Sequence, residues 1–138
     1  MADNVAFELV SPQSLLVSED VEMVVVPGAE GDFGVLGGHS PLISTLRPGV
    51  IHIFEGGSVK TRIFVAGGFA EVTPERCTVL AEEALPVGDI DRAAVEKDLT
   101  DSNDDIRDAS NDAERAAAAR RVAVAQAKLA ALDSPQYQ

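Results

Sequence analysis

The chain is short of cysteine, of positive charge and of long apolar runs, and each shortage removes a class of function. Among 138 residues only Cys77 carries a thiol, so no intrachain disulfide can form and the stapled framework of a small secreted domain is excluded. A reducing compartment is the expectation. Eleven Lys and Arg stand against 23 Asp and Glu, a net charge of -12, which repels phosphate backbones and anionic lipid surfaces. Nucleic acid and direct lipid binding are therefore not expected. No apolar stretch approaches the roughly 20 residues that span a bilayer. Met1-Ala2-Asp3-Asn4-Val5 lacks the basic and apolar regions of a signal peptide, so export is not expected, and membrane association would run through protein partners.

Catalytic constellations are also scarce. A chain of this length holds one domain, or a small domain with an appendage, which excludes a large multi-site enzyme. Asp32-Phe33-Gly34 spells the metal-binding tripeptide of protein kinases, but no catalytic-loop or glycine-loop partner accompanies it. Gly28, Gly31 and Gly34 are spaced by threes and no Gly-Lys-Ser/Thr occurs, so neither a dinucleotide nor a P-loop phosphate cradle is present. His39 and His52 are the only histidines and cannot make a structural zinc site with one cysteine. Ser40 lacks the G-x-S-x-G setting of a nucleophile. Glu82 and Glu83 are neighbours, which on a strand point to opposite faces and share no proton. His52, between Ile51 and Ile53, reads as projecting from a strand into solvent or a polar contact, whereas His39 is displayed in a loop. No catalytic residue, metal ligand or cofactor-binding residue is expected.

What is present falls into two grammars that change near Pro86-Val87-Gly88. Ahead of it lie runs such as Phe7–Val10, Val21–Val26, Val50–Phe54, Arg62–Val65 and Cys77–Leu80, with weaker ones around Leu15, Val35 and Phe69. Short β-branched and aromatic runs separated by turns read as antiparallel strands, and Glu55-Gly56-Gly57-Ser58 reads as a hairpin turn. Residues 27–49 concentrate Gly28, Gly31, Gly34, Gly37, Gly38 and Gly49 with Pro27, Pro41 and Pro48. Such a segment is a shaped, turn-rich surface and not a flexible linker.

After Gly88 there is no glycine and only Pro135, so the grammar is helical. A first helix is expected from Asp89 to about Leu99, with Ile90, Ala94 and Leu99 near one face. A turn is expected within Thr100–Asp112, where Asp, Ser and Asn compete for backbone hydrogen bonds. Ten alanines among residues 113–132 predict a second helix roughly 30 Å long. Residues 89–112 hold nine acids and three bases, whereas 113–132 hold Arg115, Arg120, Arg121 and Lys128 against Glu114 alone. That segregation favours antiparallel pairing, and small alanine contacts leave the hairpin separable. The expected fold is α+β: an antiparallel β-sandwich or flattened barrel over residues 1–87, then an antiparallel two-helix hairpin over 88–138.

Val21-Glu22-Met23-Val24, the stretch from Pro27-Gly28 through Gly31-Asp32-Phe33-Gly34-Val35-Leu36 to Gly38-His39-Ser40-Pro41-Leu42, Leu46-Arg47-Pro48-Gly49, and Gly67-Gly68-Phe69-Ala70-Glu71-Val72 together resemble the epsilon-subunit family of F-type ATP synthases. The resemblance covers nearly the whole chain. It implies a sandwich of about ten strands in a non-catalytic rotor subunit of the central stalk. Its partners would be the gamma subunit, the ring of c subunits and, through the hairpin, the alpha and beta catalytic subunits, at the cytoplasmic face of a bacterial plasma membrane. The loop matching residues 28–42 would face the c ring, making Glu30, Asp32 and His39 the contact candidates. Arg115, Arg120, Arg121 and Lys128 become candidates for a helix that inhibits ATP hydrolysis when the hairpin extends along gamma. Some members bind ATP through I/L-D-x-x-R-A. Here Ile90-Asp91 are followed by Arg92-Ala93-Ala94-Val95, which places the arginine two residues early, about 200 degrees round a helix, so the motif is incomplete and no bound nucleotide is expected. Gly37 stands where many relatives have proline. The alternative reading is a stand-alone nucleotide-sensing module.

Overall fold

A computed structural model describes residues 4–133. Eight strands come first: β1 (Val5–Val10), β2 (Leu15–Val21), β3 (Met23–Gly28), β4 (Gly31–Val35), β5 (Leu42–Thr45), β6 (Gly49–Glu55), β7 (Ser58–Val72) and β8 (Arg76–Pro86). A 3-10 turn at Val87–Asp89 leads to α1 (Arg92–Asp108) and α2 (Asp112–Asp133). The strands hydrogen-bond in the order β2-β1-β8-β7-β6-β3-β4, with β5 on β7. All pairs are antiparallel except β1 with β8, which run parallel from Ala6↔Arg76 to Val10↔Leu80.

Part of the difference between the eight strands here and the roughly ten expected has a local cause. Strand β7 pairs with β6 along Ser58–Val65 and with β5 along Phe69–Val72. Between these halves Gly67 and Gly68 have φ of 72° and 100°, a region open to glycine and strained for other residues. The glycines redirect the strand without ending it, so one continuous element serves both neighbours. A Cβ on Gly68 would lie 1.8 Å from the Leu80 carbonyl oxygen on β8, so this position leaves no room for a side chain.

Alternation sorts the side chains. Val5, Phe7 and Leu9 on β1 point inward with Val24 and Val26 on β3, Ile51 and Ile53 on β6, and Cys77 and Val79 on β8. A second cluster lies outside the sandwich, where Phe64 and Ala66 of β7, Val87 and Ala131 of α2 are buried, with Val50, Leu85, Ile90, Val124, Ala127 and Leu132 packed against them. Helix α2 therefore covers one outer face of the sandwich.

Helix α2 follows expectation to within one residue at each end, whereas α1 differs at both of its ends. Helix α1 runs through most of the Asp/Ser/Asn stretch, and the turn shrinks to Ala109–Asn111. The polar side chains satisfy one another along the helix: Lys97 pairs with Asp101 at 2.6 Å and Arg107 with Asp104 at 3.2 Å, i,i+4 and i,i+3 contacts that support helix. Asp91, not Asp89, starts α1, its carboxylate accepting from the Ala94 N–H at 3.3 Å. Ile90 lies before the helix, Ala94 is exposed, and the buried positions are Val95 and Ser102. On α2, Ala118 and Ala125 are buried; both pairs are seven apart, which keeps each on one helix face.

Candidate functional site

The glycine-proline segment is more regular than its composition indicates, because β4 and β5 lie inside it. Glu30 is exposed at the β3–β4 turn. Asp32, on β4, turns away from solvent: its carboxylate accepts from Arg47 Nη2 at 2.5 Å while Nη1 donates to the Gly28 carbonyl at 2.7 Å. One guanidinium thereby ties the turn to the segment between β5 and β6. His39 sits beyond the other end of β4, a strand about 13 Å long at 3.3 Å per residue. There Gly38 N–H donates to the Pro74 carbonyl at 2.7 Å, and His39 Nδ1 lies 2.6 Å from the Ser40 carbonyl oxygen, so Nδ1 carries the proton. Glu30 and Asp32 thus share one end of β4 and His39 belongs to the other.

The face under α2 is polar at its centre. His52, expected to project into solvent or a polar contact, takes the second course: it is 2% exposed, outside the sandwich as alternation placed it, with α2 over that face. Directly across the ladder from it stands Arg62, whose Nη2 donates to the Ala131 carbonyl at 2.9 Å. That carbonyl belongs to the last turn of α2, where helix carbonyls lack intrahelical donors and the helix dipole is negative. Asp32, Arg47, His52 and Arg62 line a cavity of about 230 Å³ closed by Ala127, Ala130 and Ala131. Burial, and secondly the Arg62 charge, hold the His52 imidazole below its ordinary pKa, while Asp32 and a Val50 backbone hydrogen bond pull the other way. Lys128 makes a second clasp, 2.5 Å from Glu83 on β8 and 5.6 Å over the Phe64 ring.

The hairpin cations divide their allegiance. Arg121 pairs across to Asp105 at 2.8 Å as charge segregation predicts, but Arg115 pairs within α2 to Asp112 at 2.8 Å and Lys128 leaves the hairpin for the sandwich. Arg92 of α1 reaches Asp133 of α2, a pair of the opposite sense. Arg120 makes no ion pair with any described residue and lines a cavity of about 750 Å³ between hairpin and sandwich, where Glu82, Glu83, Asp98 and Asp101 supply carboxylates. No group of three or more His, Cys, Asp or Glu among the described residues is arranged to hold a metal, and no helix among them is long and apolar enough to cross a membrane.

A different surface stays open. Leu15 pairs with Val10, Val10 with Leu80, Leu80 with Phe69 and Phe69 with Thr45, so one row crosses β2, β1, β8, β7 and β5 in register. Leu15, Leu80 and Phe69 are 56%, 38% and 41% exposed. Ile43, 69% exposed, stands opposite Glu71 in the next row. Large exposed apolar side chains aligned in this way mark interaction surfaces.

The pattern of the family described as "ATP synthase, Delta/Epsilon chain, beta-sandwich domain" matches residues 4–87, and that of the C-terminal domain of the ATP synthase epsilon chain matches residues 91–137. The protein belongs to the ATP synthase epsilon chain family. Within it, the epsilon chain of Rhodospirillum rubrum is 56% identical over 131 residues, covering 95% of this chain and 98% of its own, and that of Paramagnetospirillum magneticum is 54% identical over 132 residues, covering 96% and 99%. Among solved structures, a chain of the Euglena gracilis mitochondrial ATP synthase, described as OSCP/F1/c-ring in rotational state 1, superposes with a TM-score of 0.82 at 26% identity over 94% of this chain and 82% of that one. A chain of the Tetrahymena thermophila mitochondrial ATP synthase central stalk and c-ring shares the fold, with a TM-score of 0.66 at 19% identity over 92% and 95%.

Three features of this epsilon-family protein escaped sequence reasoning: the Arg47 clamp, the Arg62 contact with α2 and the apolar row. The first two are tertiary and leave no local signal. The row had one, since Leu15, Leu80 and Phe69 each break the alternation of polar outward positions.

Proposed function

We propose that the protein is a non-catalytic rotor subunit of an F-type ATP synthase, coupling rotation of the c ring to the catalytic head through gamma. The apolar row of Leu15, Val10, Leu80 and Phe69 carries this reading, and we assign it to gamma: it is the large exposed apolar surface of the sandwich that the hairpin leaves open, and two layers with interdigitated cores make a rigid body to transmit torque. The c ring would meet the sandwich at the ends of β4, through Glu30 or His39, with Asp32 setting the turn through Arg47. Association with the cytoplasmic face of a bacterial plasma membrane would then run through these partners.

The hairpin is the regulatory part of the proposal. Released from the sandwich, α2 would present Arg115, Arg120, Arg121 and Lys128 to acidic surfaces on the catalytic subunits. In the docked state Arg121 and Lys128 are engaged by Asp105 and Glu83, which supports an exchange of partners between two states. The reading assigns no nucleotide to the hairpin: three cations in the larger cavity face four carboxylates, a balance unfavourable to a triphosphate, and titration calorimetry with ATP tests that assignment.

The deciding experiment is co-purification. A tagged protein bearing Phe69→Asp and Leu80→Asp, its fold checked by circular dichroism, should lose gamma at least tenfold relative to the unaltered protein. Undiminished recovery of gamma with the double variant would overturn the assignment.

A further inference from the structure

The docked hairpin closes over a histidine and an arginine that sit side by side. We infer that His52 is a proton-sensitive gate on hairpin docking, with the neutral ring compatible with the closed hairpin and the protonated ring opposing it. The inference rests on the reading of a detachable hairpin and adds what controls its release.

The geometry supplies the reason. His52 and Arg62 are direct cross-strand partners on the outer face of β6 and β7, and Arg62 already places one cation against the Ala131 carbonyl at 2.9 Å. A second positive charge beside it, under the alanines of α2, is repelled by Arg62 and loses most of its hydration, His52 being 2% exposed. From β4 comes Asp32, engaged by Arg47 at 2.5 Å; Arg47 itself adds positive charge. Strand β3 presents Val25 across the ladder. Helix α2 brings Ala127, Ala130 and Ala131 to the cavity, and its nearest charged residues are held elsewhere, Lys128 by Glu83 and Asp133 by Arg92. Asp32 and the Val50 backbone bond favour the cation, but burial and Arg62 outweigh them.

Release of the hairpin exposes His52 to water and returns its pKa toward the ordinary value near 6.5. The docked state therefore binds fewer protons than the released one, so docking is fully favoured above the ordinary histidine pKa and weakens as pH falls through it toward the depressed docked value. Each pH unit of depression multiplies the released-to-docked ratio by at most about ten.

Spin labels on Ser58→Cys and Gln126→Cys read the hairpin position in the full chain, with native Cys77 buried and unlabelled. Between pH 8 and pH 5.5 the ratio of long to short distances should rise on the order of three- to tenfold, and the rise should vanish in His52→Gln. A flat ratio in the native sequence, or an equal rise in His52→Gln, overturns the gate. A second variant, Ala127→Trp with Ala131→Trp, adds bulk without charge where α2 meets the cavity and should release the hairpin at every pH. In it the His52 ring, followed by NMR against His39 as internal reference, should titrate closer to its ordinary pKa than in the native protein. If this variant is released and His52 titrates unchanged, the gate alone falls. If it keeps the short distance at every pH, the detachable hairpin falls and the gate with it.

Discussion

A methyl group on Gly68 has nowhere to go: it would stand 1.8 Å from a β8 carbonyl oxygen, at a backbone φ of 100°. Gly68→Ala should therefore destabilise the sandwich by about 2 kcal/mol or more, read as a lower midpoint in urea with an unchanged slope. Cys77 gives a prediction of the opposite kind. Burial pushes its thiol up to about 12, so the reactive thiolate is negligible at neutral pH. Native protein at pH 7.5 should resist iodoacetamide and react fully once unfolded; rapid alkylation of the folded protein would contradict this burial. Glu22 shows how a surface residue can be structural, since its carboxylate accepts from the Gly56 and Gly57 N–H groups at 2.9 and 3.1 Å and fixes the β6–β7 turn.

Among the elements, the helical hairpin depends on its short turn. Asn111 accepts from the Glu114 N–H at 2.9 Å while the Glu114 carboxylate reaches back past Asn111 to accept from the Ser110 N–H at 2.9 Å, a variant of the capping box at the start of α2. Asn111→Ala should cost about 1 kcal/mol of hairpin stability and raise amide exchange in the first turn of α2 while leaving the sandwich unchanged. The elements also show what was legible beforehand. Strands announced themselves through Val and Ile at inward positions, and α2 through its alanines, because those signals are local. The run of α1 to Asp108 did not, because acidic residues that read as turn formers are rescued by Lys97 and Arg107 one turn away. His52 was legible only in part: period-two alternation says which face a side chain takes, and leaves open whether solvent or a polar contact meets it there. Glu30, Asp32 and His39 were read as one surface, yet β4 holds them apart: the weak strand expected around Val35 runs back to Gly31, because only its pairing with β3, a tertiary matter, shows where it starts.

For the whole molecule, the two outer faces of one sandwich are assigned to different tasks, one closed by α2 and the other carrying the apolar row. In the assembled enzyme, reversing Arg120 and Arg121 to Glu should relieve any inhibition of ATP hydrolysis severalfold without loss of the subunit from the complex, measured as hydrolysis by purified enzyme; an unchanged rate would remove these arginines from the regulatory role. The connection between the two parts sharpens this. Val87 is buried with Phe64 and Ala131, so the backbone stays anchored until Gly88 and only a few residues, to Asp91, separate sandwich from hairpin. So short a tether keeps the hairpin at millimolar effective concentration over its own docking face. A competing surface can win it only if the same assembly holds that surface equally near, which makes the hairpin a reporter of assembly: in dilute solution it should return to its own sandwich, and only inside a complete rotor would a rival have the proximity to keep it away.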